Sequence, residues 1–204
     1  SQFSAMPAIV AEGRRVINNI QRAASLFLVK NIFSFALTLL LLFIDMPYPL
    51  LPIQLSLIST FTIGIPSFFL ALEPNYARVE GKFMRNVIRR AMPGGLTIVL
   101  LAGFFTSTFG LSNEQLNTIC VWVMSAVGLV TLYHVSVPFT RLRLAVLAAM
   151  TAAMLFCLLV IPAFFDLPAL NASSALILVT LLLACPTVMR FFRVIFDKRV
   201  AKLD

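Results

Sequence analysis

The chain is 204 residues long; 60% of them are hydrophobic and only 12% are charged. Soluble domains carry about 45–50% apolar and about 25% charged residues, so a water-facing protein with one core is excluded, and so is a disordered chain. The formal net charge of +8 would suit nucleic acid by sign, yet basic loops beside anionic lipid account for it with no nucleic-acid partner.

The charges divide the chain into uncharged runs at 31–44, 46–72, 91–113, 115–140, 144–165 and 167–189. A helix needs about 20 apolar residues to cross a hydrocarbon core about 30 Å thick. The pattern predicts an all-α membrane protein with six transmembrane helices, near 23–44, 51–72, 92–110, 117–138, 144–165 and 173–190. They make up a transmembrane domain over 23–194. Residues 1–22 read as a cytoplasmic amphipathic stalk, with Ile9, Val16, Ile17 and Ile20 at helical spacing. Residues 195–204 read as a cytoplasmic tail.

Arg14, Arg15 and Arg22 precede the first span, which takes Lys30 into the bilayer. Arg78, Lys82, Arg85, Arg89 and Arg90 lie between the second and third spans, and Arg141 and Arg143 between the fourth and fifth. Arg190, Arg193, Lys198, Arg199 and Lys202 follow the sixth. The remaining connections carry Asp45, Glu114 and Asp166. Lysine and arginine in short loops mark the cytoplasmic side, which places both termini there.

Polar groups at membrane depth carry the chemistry, because they are costly there and normally face other helices or a hydrated path. In the first span Lys30, Asn31, Ser34 and Thr38 fall within one helical stripe. In the second, Ser56, Ser59, Thr60, Thr62 and Ser67 surround a helix break at Gly64 and Pro66. Proline removes a backbone donor there, and freed carbonyls with hydroxyls are hard oxygen ligands for Ca²⁺, Mg²⁺, Na⁺ or K⁺. The same hydroxyls would also serve simply as small residues that let helices approach.

Farther along, Gly94 and Gly95 after Pro93 read as a break before the third span. His134, the one histidine, reads as a polar residue hydrogen-bonded between helices, and Cys120, Cys157 and Cys185 as core residues without metal or disulfide spacing. Catalytic residues are not found: neither a phosphate loop nor an HExxH pair occurs.

The opening VAEGRRVINNIQRAASLFLVKN closely resembles the stalk and fifth transmembrane helix of P-type cation ATPases, through Glu12, Gly13, Arg14, Val16, Ile17, Asn19, Ile20 and Arg22. LLPIQLSLISTFTIGIPSFFLALEPN resembles the family's sixth helix, through Pro52, Gln54, Leu55, Thr62, Gly64, Pro66, Leu70, Glu73 and Pro74. The four later spans resemble the family's last four helices in number, length and topology. The resemblance implies the C-terminal membrane portion (fifth to tenth helices) of a bacterial calcium- or magnesium-type pump in the cell membrane. Its partners would be the transported cation, the lipid bilayer, and the remaining helices and cytoplasmic domains of the same pump. ATP and Mg²⁺ would be needed by the full-length enzyme, whose phosphorylation and ATP-binding motifs are not in this sequence.

The family's ion ligands map onto Asn31 and Thr62, which carry over as metal ligands, and onto Ser34 and Ser59 as weaker substitutes. A third position falls on Ile63, which cannot bind a cation. Lys30 stands just before the mapped asparagine, as a lysine does in the family's gastric proton pump. That likeness implies an internal cation that occupies ion space. The runner-up expectation is a stand-alone six-span channel or secondary carrier without ATP hydrolysis, and a third is a scaffolding membrane subunit.

Overall fold

The computed structural model describes residues 5–44, 48–73, 75–78, 83–105 and 111–200. Asp45, Pro74, Lys82, the last residues of the third expected span (106–110) and the end of the tail (201–204) lie outside the described residues.

Helix α1 (Met6–Ile44) runs for 39 residues, so stalk and first expected span form one rod. Its proline, Pro7, sits in the first turn, where a missing N–H breaks no helical bond. Helix α2 (Pro52–Ser59) also begins on proline, passes through a π-helical turn at Thr60–Gly64, and continues as α3 (Ile65–Leu72). The π turn has a local cause. Pro66 offers no N–H, and its ring would meet the carbonyl four residues back, so a wider turn relieves the clash.

Helix α4 (Phe83–Ile98) continues as a π-helical segment, Val99–Phe105, on which the third expected span falls. Helix α5 (Asn113–Ser136) is capped by Ser112, whose hydroxyl accepts from the Gln115 amide at 3.4 Å. Helix α6 (Arg141–Leu159) is capped in the same way by Thr140. A short 3₁₀ turn at Pro162–Phe165 leads on to α7 (Ala172–Val200), where Asn171 Oδ1 accepts from the Ser174 amide at 2.8 Å. Among the described residues five stretches are long and apolar enough to cross a membrane: Met6–Phe43, Pro52–Leu72, Asn113–Ser136, Arg141–Leu159 and Ala172–Asp197.

α5 is the central helix and touches α1, α2, α4, α6 and α7. Ile119, Val121, Met124 and Val127 on it meet Leu37, Ile98 and Leu101 in a fully buried core. Outward, Phe35, Leu42, Phe43, Leu176 and Leu183 are each more than two-thirds exposed. An apolar girdle of that kind is stable against lipid, not water.

The Pro93–Gly94–Gly95 sequence is not a break. It lies buried inside α4, where that helix crosses α1. A Cβ on Gly95 would stand 2.4 Å from Ile32 Cγ2, and one on Gly103 would stand 2.6 Å from Leu40 Cδ2. Glycine is there because two backbones approach closely, as small residues permit in membranes.

The two ends of the bundle differ in charge. Arg22, Arg90, Arg143 and Arg193, from four separate segments, line one cavity. Glu114 and Asp166 line another, near the start of α2.

Candidate functional site

Lys30, Ser59 and Thr62 line a cavity of about 20 Å³ between α1, α2 and α5, together with Phe33, Met124 and Gly128. That volume suits one water-sized species. Thr62 is buried and donates to the Ile58 carbonyl at 2.7 Å, which leaves its oxygen able to accept or coordinate. α5 comes this near the π turn only because residue 128 has no side chain. A Cβ there would lie 2.7 Å from Thr62 Cγ2 and 3.1 Å from its Oγ1. Pro66 is buried one turn farther on, while Gly64 is exposed.

Asn31, Ser34 and Thr38 line a second, larger cavity of about 670 Å³, with Tyr48 at one end. Asn31 is exposed, and Thr38 donates to the Ser34 carbonyl at 2.8 Å. The polar stripe of α1 therefore opens to two places. Successive residues are about 100° apart on a helix, so Lys30 sits at the edge of the stripe and faces the smaller cavity. The fold joins Lys30 with Ser59 and Thr62, and Asn31 with Ser34, while Asn31 and Thr62 line different cavities. Among the described residues no group of three His, Cys, Asp or Glu could hold a metal. The polar side chains beside the smaller cavity are two hydroxyl residues and one lysine, while the wall the cavity exposes is apolar. Neutral oxygens coordinate hard cations, while the ammonium occupies cationic space and repels a second ion.

Two polar clasps stand near the ends of the α2–α3 unit; Gln54, Glu73, Asn19 and Arg22 belong to the motifs that carry the resemblance, but nothing in the sequence pairs them with their partners. At the basic end Arg143 Nε donates to the Glu73 carboxylate in a short bond, and its Nη1 donates to the Pro138 carbonyl at 2.6 Å. Arg22 of α1 approaches the same carboxylate at 4.0 Å. Burial alone would raise the Glu73 carboxyl, but the Thr140 hydroxyl, Arg143 and Arg22 outweigh it and hold it below the usual carboxylate range. Beside it, Asn19 Nδ2 donates to the Ala71 carbonyl at 2.9 Å, and Asn18 Nδ2 to the carbonyls of Asn75 and Ala77. At the other end Gln54, fully buried, donates to Asn117 Oδ1 at 2.8 Å and to the Phe165 carbonyl at 3.1 Å. Asn117 donates in turn to the Pro49 carbonyl at 2.6 Å.

His134 bonds within its own helix, Nδ1 to the Val130 carbonyl at 2.7 Å, and not across to a neighbour. The three cysteines are buried, and Cys120 donates to the Ala102 carbonyl at 3.3 Å.

The chain is 33% identical over 154 residues to the probable cation-transporting ATPase exp7 of Streptococcus pneumoniae, a match that covers 70% of this chain and 20% of that relative. It is a homologue of the P-type cation-transporting ATPases. The calcium-transporting ATPase CtpE of Mycobacterium bovis is 35% identical over 167 residues, covering 73% of this chain and 21% of the relative. CtpE of Mycolicibacterium smegmatis is 40% identical over 108 residues, covering 48% and 14%. The chain thus spans about a fifth of the length of the P-type relatives that it matches along most of its own. No protein-family model matches it, and no solved structure does. With bacterial relatives and five membrane-length helices, it is a multi-pass protein of a bacterial cell membrane.

Proposed function

We propose that this chain is the membrane portion of an ATP-driven pump and that its first two spans supply ligands to the ion path. The observation that carries the reading is the small cavity at the π turn, where Thr62, Ser59 and Lys30 meet. Thr62 and Ser59 offer hydroxyl oxygens to a dehydrated cation, and Pro66 withholds a backbone donor from the carbonyls beside them. Asn31 and Ser34 complete the path from the open side of α1, where the part of the pump matched by the other four-fifths of the relatives would pack.

Ca²⁺ is the favoured cargo over Mg²⁺, supported by the calcium-transporting relatives. Few carboxylates are available to balance charge, and Lys30 adds one positive charge, so a single divalent ion per cycle fits these residues better than two. ATP and its Mg²⁺ would act in the cytoplasmic portion of the pump. Six spans with both termini cytoplasmic is the topology that goes with this role, and the gathering of arginines at one end supports it.

The test is ATP hydrolysis by the intact purified protein as Ca²⁺ is titrated at fixed Mg²⁺-ATP. Wild type is expected to be stimulated by Ca²⁺. Thr62→Ala should raise the half-stimulating concentration about 5- to 150-fold, the equivalent of one lost oxygen ligand at about 1–3 kcal/mol. Hydrolysis that no cation stimulates would end the pump reading. Stimulation indifferent to Thr62→Ala would return the hydroxyl to helix packing.

A further inference from the structure

The cavity at the basic end has a volume of about 730 Å³, within the size range of small-molecule sites. Among the described residues seven arginines line it against one carboxylate, Asp197. Asp197 is already paired, with Arg89 at 3.1 Å. Arg143 is satisfied by Glu73 and by the Pro138 carbonyl.

Arg22 and Gln21 stand apart from the others. The Arg22 side chain is 8% exposed, and its Nη1 stays 4.0 Å from Glu73, too far for a hydrogen bond. Among the described residues that nitrogen is buried with no hydrogen-bond partner, and so is Nε2 of Gln21, a residue 4% exposed. Buried donors are rarely left unpaired in native proteins. Two of them belong to residues that line the same arginine-rich cavity, which therefore favours an acceptor, and a negatively charged one.

Guanidinium groups bind phosphate oxygens in forked pairs. In this cavity they arrive from α1, α4, α6 and α7, which suits a group presenting oxygens in several directions better than a flat carboxylate. Basic pockets between transmembrane helices are also where anionic headgroups bind.

We propose that this cavity binds a phosphate-bearing anion, either the headgroup of an anionic phospholipid or free phosphate, with Arg22 and Gln21 as its buried donors and Arg90 and Arg193 as further cationic partners. The site is a different cavity from the one assigned to the ion path, although Thr131 lines both. Its ligand stabilises the contact between the stalk half of α1, the start of α4 and the end of α7.

The intact protein in detergent would be titrated with dioleoylphosphatidylglycerol, dioleoylphosphatidylcholine or inorganic phosphate. Bound lipid is counted by native mass spectrometry, and all three additions are followed by thermal unfolding. Phosphatidylglycerol is expected to bind wild type and raise its Tm, whereas phosphatidylcholine should not. Arg193→Gln should weaken that binding about tenfold, the effect of one charge-assisted contact. Gln21→Leu should weaken it as well while leaving ligand-free stability unchanged or higher, since an unpaired buried donor is removed. Arg14→Gln, a stalk change outside the cavity, should leave binding as in wild type. A Tm rise with inorganic phosphate alone, lost in both cavity variants, would identify free phosphate as the source. If neither phosphatidylglycerol nor phosphate distinguishes wild type from the cavity variants, or if Arg14→Gln weakens binding equally, the proposal is overturned.

Discussion

Glu73→Gln should destabilise the bundle far more than its single lost charge suggests. Arg143 is 5% exposed at its side chain, Arg22 8% and Glu73 12%, so the substitution leaves two largely buried guanidiniums without their shared carboxylate. Breaking a buried pair by removing one partner costs about 3–5 kcal/mol. The attraction across 4 Å at an effective dielectric constant of 20 is about 4 kcal/mol, which places this case inside that range. The exposed pair Glu12–Arg15, at 3.2 Å, is the matched control. Glu12→Gln should cost about 0–1 kcal/mol. Thermal unfolding of the intact protein in detergent reads both. Arg143→Met is also destabilising, but the double variant Glu73→Gln/Arg143→Met should lose less than the sum, because only Arg22 then remains unpaired. The sign with pH follows from the depressed Glu73 carboxyl. Its contribution is fully present above the ordinary carboxylate pKa of about 4.3 and disappears as pH falls through the lower folded value. Glu73→Gln removes that acid-sensitive part of the profile. Equal Tm losses for Glu73→Gln and Glu12→Gln, with additive doubles, would refute the clasp.

Gly128→Val should press on Thr62 and cost about 1–3 kcal/mol of stability by overpacking, measured as a lower Tm. Gly13→Ala, with nothing within 4 Å of its added methyl, should gain about 0.5–1 kcal/mol from helix propensity. Lys30→Ser should admit an additional cation per ATP hydrolysed or make dephosphorylation depend on a counter-ion, whereas Lys30→Arg should not; identical stoichiometry in wild type and both variants would leave Lys30 a snorkelling residue. Reporter fusions after Arg85, Arg143 and Lys198 should report cytoplasm and those at Asp45, Glu114 and Asp166 the outside, and one misplaced loop removes the six-span topology.

Apolar stretches in this chain are legible because charges are expensive in lipid and bound them, although α1, α4 and α7 continue as helix through their arginines. Ser112, Thr140 and Asn171 cap α5, α6 and α7 beside the loops that Glu114, Arg141 and Asp166 delimit. Contacts between distant segments are not legible in the same way. Glu73 and Arg143 are 70 residues apart; Glu73 stands out as a motif residue and Arg143 as a loop charge, but nothing in the sequence joins them. Gly94–Gly95 carries the composition of a break, and only the presence of α1 against it shows a crossing point. The stripe on α1 groups Lys30 with Asn31, Ser34 and Thr38. It does not say that Lys30 turns toward Thr62 while Asn31 turns away, because that depends on where α2 and α5 settle.

The α2–α3 unit is fastened near both ends, by Gln54 to α5 and by Glu73 to α6 and the stalk. A rod held at its ends cannot slide along its neighbours. It can only wind or unwind between the fixed points, and the loosest turn between them is Thr60–Gly64. Torsion between those two fastened ends is taken up most readily at the π turn. Tightening that turn to an ordinary α-helical one would swing the Thr62 oxygen about the helix axis while Gln54 and Glu73 stay in place. The α2–α3 unit thus has the form of a torsion spring, with the small cavity lined by Thr62 set at the coil.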